Sequence, residues 1–222
     1  MTVEKVTAKK WWSWFVSALK QAYEKDALLG KCEKRVRERG LEEYYGKEWT
    51  AVMSVLLSNM AQVNHFHQKW EVAGPKTKGF GKIDFAWYGY EGGLGGNVCS
   101  QPSVLIEHEQ QRYKEKEKGL AWVAQKLVKS DKGKNPGPLR VLITYRWTER
   151  YQDDQLKKLV SKGCRKDVPF LLIIGAEDNE ELKEWHGYMW RGLRDGFGKT
   201  LNFRVPHYQG KLSQKGSENA PP

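Results

Sequence analysis

Strand signals take over between Lys69 and Glu109, with clean alternation of period two from Lys82 to Trp87, and they commit the middle of the chain to a sheet. A first strand is expected over Lys69–Ala73, set off by the turn signal Gly74-Pro75. A second runs from Phe80 to Tyr90, with Ile83, Phe85 and Trp87 on one face and Lys82, Asp84 and Ala86 on the other. This puts Asp84 on the face opposite the expected core. Glu91–Asn97 holds four glycines without a Gly-Lys-Ser/Thr sequence, so it reads as a hairpin connection and not as a phosphate-gripping loop. The third strand, Ser103–Glu109, turns Val104, Ile106 and His108 one way and Leu105, Glu107 and Glu109 the other.

Helical spacing flanks these strands. Trp11, Phe15, Ala18, Leu19, Ala22 and Tyr23 predict a helix over Lys10–Leu29 that stops at Gly30. The charged stretch Lys31–Arg39 reads as a linker or a solvated helix face. A second helix is expected over Leu41–Met60. At about 100° per residue, Glu48 falls in the apolar stripe with Tyr45, Val52, Val55 and Leu56. A carboxylate there implies a ligand, a cation or a shifted pKa. The alternative is a partly exposed Glu in the first turn of a helix restarted after Gly46, where the helix dipole favours it. After the third strand come a basic helix (Arg112–Ser130), an apolar strand (Leu139–Trp147), a short helix (Asp153–Lys162) and another apolar strand (Val168–Ala176). Strand, helix, strand suggests a parallel crossover. A short helix at Glu180–Trp185 and a hairpin around Asp195-Gly196 are expected next, followed by a disordered tail over Gln209–Pro222.

Charge narrows the partners. Of 222 residues, 38 are Lys or Arg and 27 Asp or Glu, a formal net charge of +11 that favours a polyanion, nucleic acid first. With 39% hydrophobic and 29% charged residues the chain can fill a core, which excludes disorder throughout. Its longest apolar runs, such as Leu171–Ile174, fall far short of the roughly 18 residues of a membrane span. Trp11–Leu19 is broken by Ser13 and Ser17 and followed by charges, unlike a signal peptide, so an intracellular, cytoplasmic location is expected. Cys32, Cys99 and Cys164 are odd in number and widely spaced, which supports neither a disulfide framework nor a cysteine zinc site.

Taken in order, the elements from Leu41 to Ala176 run helix, three strands, helix, strand, with acids at Glu48, Asp84, Glu107 and Glu109. On the segments Lys82-Ile83-Asp84-Phe85 and Val104-Leu105-Ile106-Glu107-His108-Glu109 the chain resembles the PD-(D/E)XK nuclease superfamily. The resemblance implies an α/β fold: a restriction-endonuclease-like α-β-β-β-α-β core, with a mixed sheet flanked by helices, an N-terminal helical extension and a C-terminal hairpin. The domain would span 41–208, between the extension (1–40) and the tail (209–222). The resemblance departs from the family pattern at one residue, Glu109 standing where a lysine is usual. Some restriction endonucleases resemble this chain in using Glu-x-Glu.

Cutting a phosphodiester requires neutralising phosphate charge while presenting hydroxide to phosphorus, and Mg²⁺ held by a few carboxylates does both, with Mn²⁺ as a substitute. The resemblance implies Asp84 and Glu107 as direct ligands, the His108 carbonyl completing the shell, Glu109 as proton acceptor or second-ion ligand, and Glu48 as the orienter of water. Arg112, Lys114, Lys116 and Lys118 are the expected phosphate contacts on DNA. A homodimer is an open assembly. Carboxylates on a strand commonly face solvent, and for Glu107 and Glu109 alone that suffices. Asp84 on the adjacent strand changes this, because like charges on neighbouring strands destabilise a sheet without a cation. His65 and His67 lack a third ligand at zinc spacing, and no Gly-x-Ser-x-Gly elbow appears. His108 is expected to be a core or polar-layer histidine. Trp87, Tyr88 and Tyr90 are either core or surfaces for base stacking. A carboxylate-pair glycosidase fits the positive charge poorly. The competing class is a non-catalytic nucleic-acid-binding or scaffold domain with a degenerate nuclease fold.

Overall fold

The computed structural model describes residues 5–24, 42–72, 82–109, 117–129, 137–146, 152–164, 168–178 and 181–205. Among these residues four helices, α1 (Ala8–Glu24), α2 (Glu42–Val63), α3 (Glu117–Lys129) and α4 (Asp153–Ser161), flank one sheet. Its strands are β1 (His67–Val72), β2 (Ile83–Tyr88), β3 (Val104–His108), β4 (Leu139–Arg146), β5 (Phe170–Asp178), β6 (Glu181–Trp190) and β7 (Phe197–Arg204). They lie side by side in chain order. β3, β4 and β5 pair in parallel and every other pair is antiparallel, so the sheet is mixed and open. The crossover β4-α4-β5 is the expected parallel unit.

Both faces of the sheet are covered. On the first, α1 and α2 bury Trp11, Phe15, Leu19, Met53 and Leu57 against Phe85, Trp87, Val141, Ile143, Leu171 and Trp185. Phe15 meets Trp185 edge-on at 5.2 Å, and Trp11 lies 5.8 Å from Trp87. Such aromatic pairs add about 0.5–1.5 kcal/mol each beyond the area they bury. On the second face, α3 and α4 bury Leu120, Val123, Leu127, Leu156 and Val160 against Leu105, Leu142, Leu172 and Ile174. This corrects the one-faced reading of β2, because the face carrying Asp84 and Ala86 is also core. Ile83, at the strand start, packs with that second face and not with Phe85 and Trp87.

Three further expectations change. α1 is no extension, since Trp11, Phe15 and Leu19 are fully buried in the main core. α2 runs unbroken through Gly46. Its buried stripe is Val52, Met53, Leu56, Leu57, Met60 and Ala61, whereas Val55 is 45% exposed. The stripe is therefore rotated by roughly 100°, one residue's turn, from the one that put Glu48 near its centre. Finally, Glu180–Trp185 is not a helix: β6 runs from Glu181, with Trp185 and Met189 packing on the first face and Tyr188 on the second. Pairing with the edge of β5 satisfies its backbone, which local helix propensity could not outweigh. The turn at Asp195-Gly196 is as expected, with the Arg191 N–H donating to the Gly196 carbonyl at 2.9 Å. The expected linker at 31–39 and tail at 209–222 lie outside the described residues.

Candidate active site

The register that pairs Phe85 with Ile106 sets Asp84 opposite Glu107 on neighbouring antiparallel strands, both turned to the second face. Their backbones interlock them. The Asp84 N–H donates to Glu107 Oε1 at 3.3 Å, and the His108 N–H donates to Asp84 Oδ2 at 2.9 Å. Each carboxylate is thus aimed by the other residue's strand, at a point where the strand pair stops being purely apolar.

The third member of the site comes from a helix. Lys126 of α3 places Nζ 2.6 Å from Glu107 Oε1, with side-chain exposures of 7% and 4%, and donates to the Lys82 carbonyl at 2.8 Å. Burial pushes the Glu107 carboxyl up to about 8; the Asp84 carboxylate adds to this and Lys126 opposes it. Burial also raises the Asp84 carboxyl above its usual range, while the His108 N–H and Lys126 hold it down. The repulsion expected between paired acids is present, and the cation that answers it is an ammonium. Nothing in the sequence marks Lys126 among many lysines, because its reach to Glu107 depends on how α3 lies on the sheet.

His108 contributes to the pair through its backbone. Its ring points to the other face, where Nε2 meets Tyr145 Oη at 2.7 Å and Nδ1 has no hydrogen-bond partner. Burial drives this imidazole down to about 3, so it is neutral near pH 7, in keeping with the expected core or polar-layer histidine. Glu109 follows the last residue of β3, with a half-buried side chain, and its N–H donates to the Ile143 carbonyl at 2.9 Å. The side chains of Glu48 and Lys118 lie outside the described residues, as do Arg112, Lys114 and Lys116 altogether. α2, which carries Glu48, packs on the first face, opposite Asp84 and Glu107. Trp87 and Tyr88 are buried and offer no stacking surface. Cys164 is a buried free thiol pushed up to about 12 by burial, and Cys99 is free and half-buried.

A second polar cluster, absent from the sequence reading, lies on the same face toward the end of β4. Asp153, first residue of α4, pairs through Oδ2 with His186 Nδ1, accepts from Tyr188 Oη at 2.6 Å, and meets Arg146 Nη1 through Oδ1 at 3.5 Å. His186 Nε2 meets Glu184 Oε2 at 3.1 Å. Hydrogen bonding to Asp153, more than the opposing burial, raises the imidazole above its ordinary value. These contacts fasten α4 to β6 across β5, so the cluster reads as structural.

Among the described residues no group of three or more His, Cys, Asp or Glu side chains forms a ready-made metal cage. No helix among them is long and apolar enough to cross a membrane. No protein-family model, no curated protein and no solved structure matches this chain.

Proposed function

We propose that this chain is a divalent-cation-dependent nuclease that hydrolyses phosphodiester bonds of DNA, of PD-(D/E)XK type, with Lys126 of α3 supplying the ammonium that position 109 lacks. The observation that carries the reading is the facing, interlocked pair Asp84 and Glu107 on adjacent strands of the α-β-β-β-α-β series, closed by Lys126. Two carboxylates suit Mg²⁺, which binds few protein oxygens and completes its shell with water and substrate phosphate. The donor chemistry also fits, since the contacts described above engage only Oδ2 of Asp84 and Oε1 of Glu107. Mg²⁺ or Mn²⁺ held there supplies Lewis-acid neutralisation of phosphate charge and a more acidic water.

The chain's own residues do the rest. Asp84 and Glu107 hold the cation, and the His108 N–H keeps Asp84 aimed. Lys126, released from Glu107, turns its charge to the phosphate. Glu109 takes the proton of the attacking water.

One observation favours the non-catalytic reading, in which the domain binds nucleic acid without cutting it. Lys126 already balances Glu107 and stands where a cation would. Calorimetry with Mg²⁺ and Mn²⁺, together with cleavage of supercoiled plasmid, linear duplex, single strands and branched DNA, decides between them. The nuclease binds the metals saturably, and Asp84→Ala and Glu107→Ala largely abolish both binding and cutting. Unchanged metal affinity in both variants would remove the site. Salt-sensitive DNA binding by wild type without cleavage would leave the non-catalytic reading.

A further inference from the structure

Among the described residues two large aromatic side chains are substantially exposed, Trp70 and Trp122. Trp70, on β1, rests edge-on against Phe85 at 4.8 Å and so belongs to the first face, away from the acid pair. Trp122 differs in its neighbour. It lies on α3 four residues before Lys126, and positions four apart share one face of a helix. The Lys126 ammonium sits 5.5 Å from the Trp122 ring centroid and 2.6 Å from Glu107 Oε1. A single buried ammonium therefore links a 39% exposed indole to the acid pair.

A phosphate engaged at this ammonium carries its sugar and base with it, and an indole next to the same ammonium lies within one nucleotide's reach. Indole is also the aromatic surface of choice for a base, because its π-face accepts any of them without reading hydrogen bonds. That face is attractive to Lys126 for the same electronic reason. Of Trp87, Tyr88 and Tyr90, the aromatics that the sequence offers for this task, Trp87 and Tyr88 are buried in the core and Tyr90 is half-buried. We infer that Trp122 is a positioning residue that stacks on a nucleobase flanking the phosphate bound at Asp84, Glu107 and Lys126, and so helps select which phosphate is presented.

The inference rests on the nuclease reading, and the test separates the two. Binding of fluorescein-labelled oligonucleotides is measured on the Asp84→Asn chain, alone and combined with Trp122→Phe, Trp122→Leu or Trp122→Ala. The oligonucleotides are intact or lack one base at each position around the cut mapped with wild type. Stacking is worth about 1–3 kcal/mol per base, so Trp122→Ala and Trp122→Leu should weaken binding by roughly 5- to 150-fold while Trp122→Phe keeps most of it. Removing the stacked base should weaken binding to the Trp122 chain by a similar factor and hardly affect Trp122→Leu. The Leu variant fills space without stacking, so circular dichroism matching the parent excludes a folding defect, and the Phe–Leu contrast is readable if the Ala variant does not fold. Equal affinities for the Trp, Phe and Leu chains, or base removal that weakens all of them alike, would overturn the inference and leave the nuclease standing. If the Trp122 chain binds none of the oligonucleotides at low salt, inference and nuclease reading fall together.

Discussion

Lys126 and Glu107 lie 2.6 Å apart and are both less than a tenth exposed, so removing either leaves the other without its partner in a medium that tolerates charge poorly. The two removals are not equivalent. Glu107 can shed its charge by taking a proton, because its carboxyl is pushed up to about 8 from an ordinary 4.5. The stability this group contributes is fully present below 4.5 and is lost as pH rises through about 8. Lys126→Met removes the ammonium that holds the Glu107 carboxyl down, so that carboxyl should move further up, and the variant should lose about 1 kcal/mol more at pH 9 than at pH 6, where Glu107 is neutral with or without Lys126. Denaturant melts at the two pH values check it, and equal losses at both would refute the assigned direction. The same titration would govern the proposed cation. A metal ligand must be deprotonated, so Mg²⁺ or Mn²⁺ affinity should climb between pH 6 and 9, with proton release visible by calorimetry in buffers of differing ionisation enthalpy. A flat profile would mean that Glu107 is not a ligand.

At the scale of elements, α4 and β6 are held by a titratable clamp and α1 and β6 by shape. His186 sits between Asp153 and Glu184, with Arg146, Lys157, Tyr188 and Arg204 around the cluster. Its raised pKa gives stability that is complete below 6.5 and is lost as pH rises through the folded-state value. His186→Gln should cost about 1–3 kcal/mol at pH 6 and flatten the loss at higher pH, read by melts alongside the imidazole NMR titration of wild type. A titration at or below 6.5 would contradict the clamp. The other contact involves Gly187, where an added Cβ would come within 2.8 Å of Trp12 on α1. Gly187→Ala should cost about 1–3 kcal/mol, and Trp12→Leu in the same chain should recover part of it. The order and type of most elements were legible because period two and helical spacing are local properties. β6 was not, since Glu181–Trp185 becomes strand by pairing with β5 and β7, partners that local pattern does not reveal. The same division runs through the site. Asp84 and Glu107 were legible from alternation on two strands joined by a glycine-rich hairpin, while Lys126 and the Asp153–His186 cluster exist only through packing between elements.

For the whole molecule, the net charge of +11 is a property of the sum and needs no particular lysine. DNA binding by the chain should fall steeply with salt, with a log-log slope of about −0.9 per phosphate neutralised. Titrations from low to physiological salt measure it, and a flat dependence would remove the polyanion as partner. Chain order and strand order coincide across all seven strands, so each strand pairs with the one made just before it. The sheet can grow at its newest edge while the chain is still being synthesised, with little search cost per strand. α1 cannot follow that order. Its Phe15 and Trp12 rest on Trp185 and Gly187 of β6, so that part of its apolar side stays uncovered until β6 has been made, even where Trp11 has already met Trp87 of β2. A chain stalled before β6 would therefore still present Trp12 and Phe15 to the solvent or to whatever binds exposed aromatics.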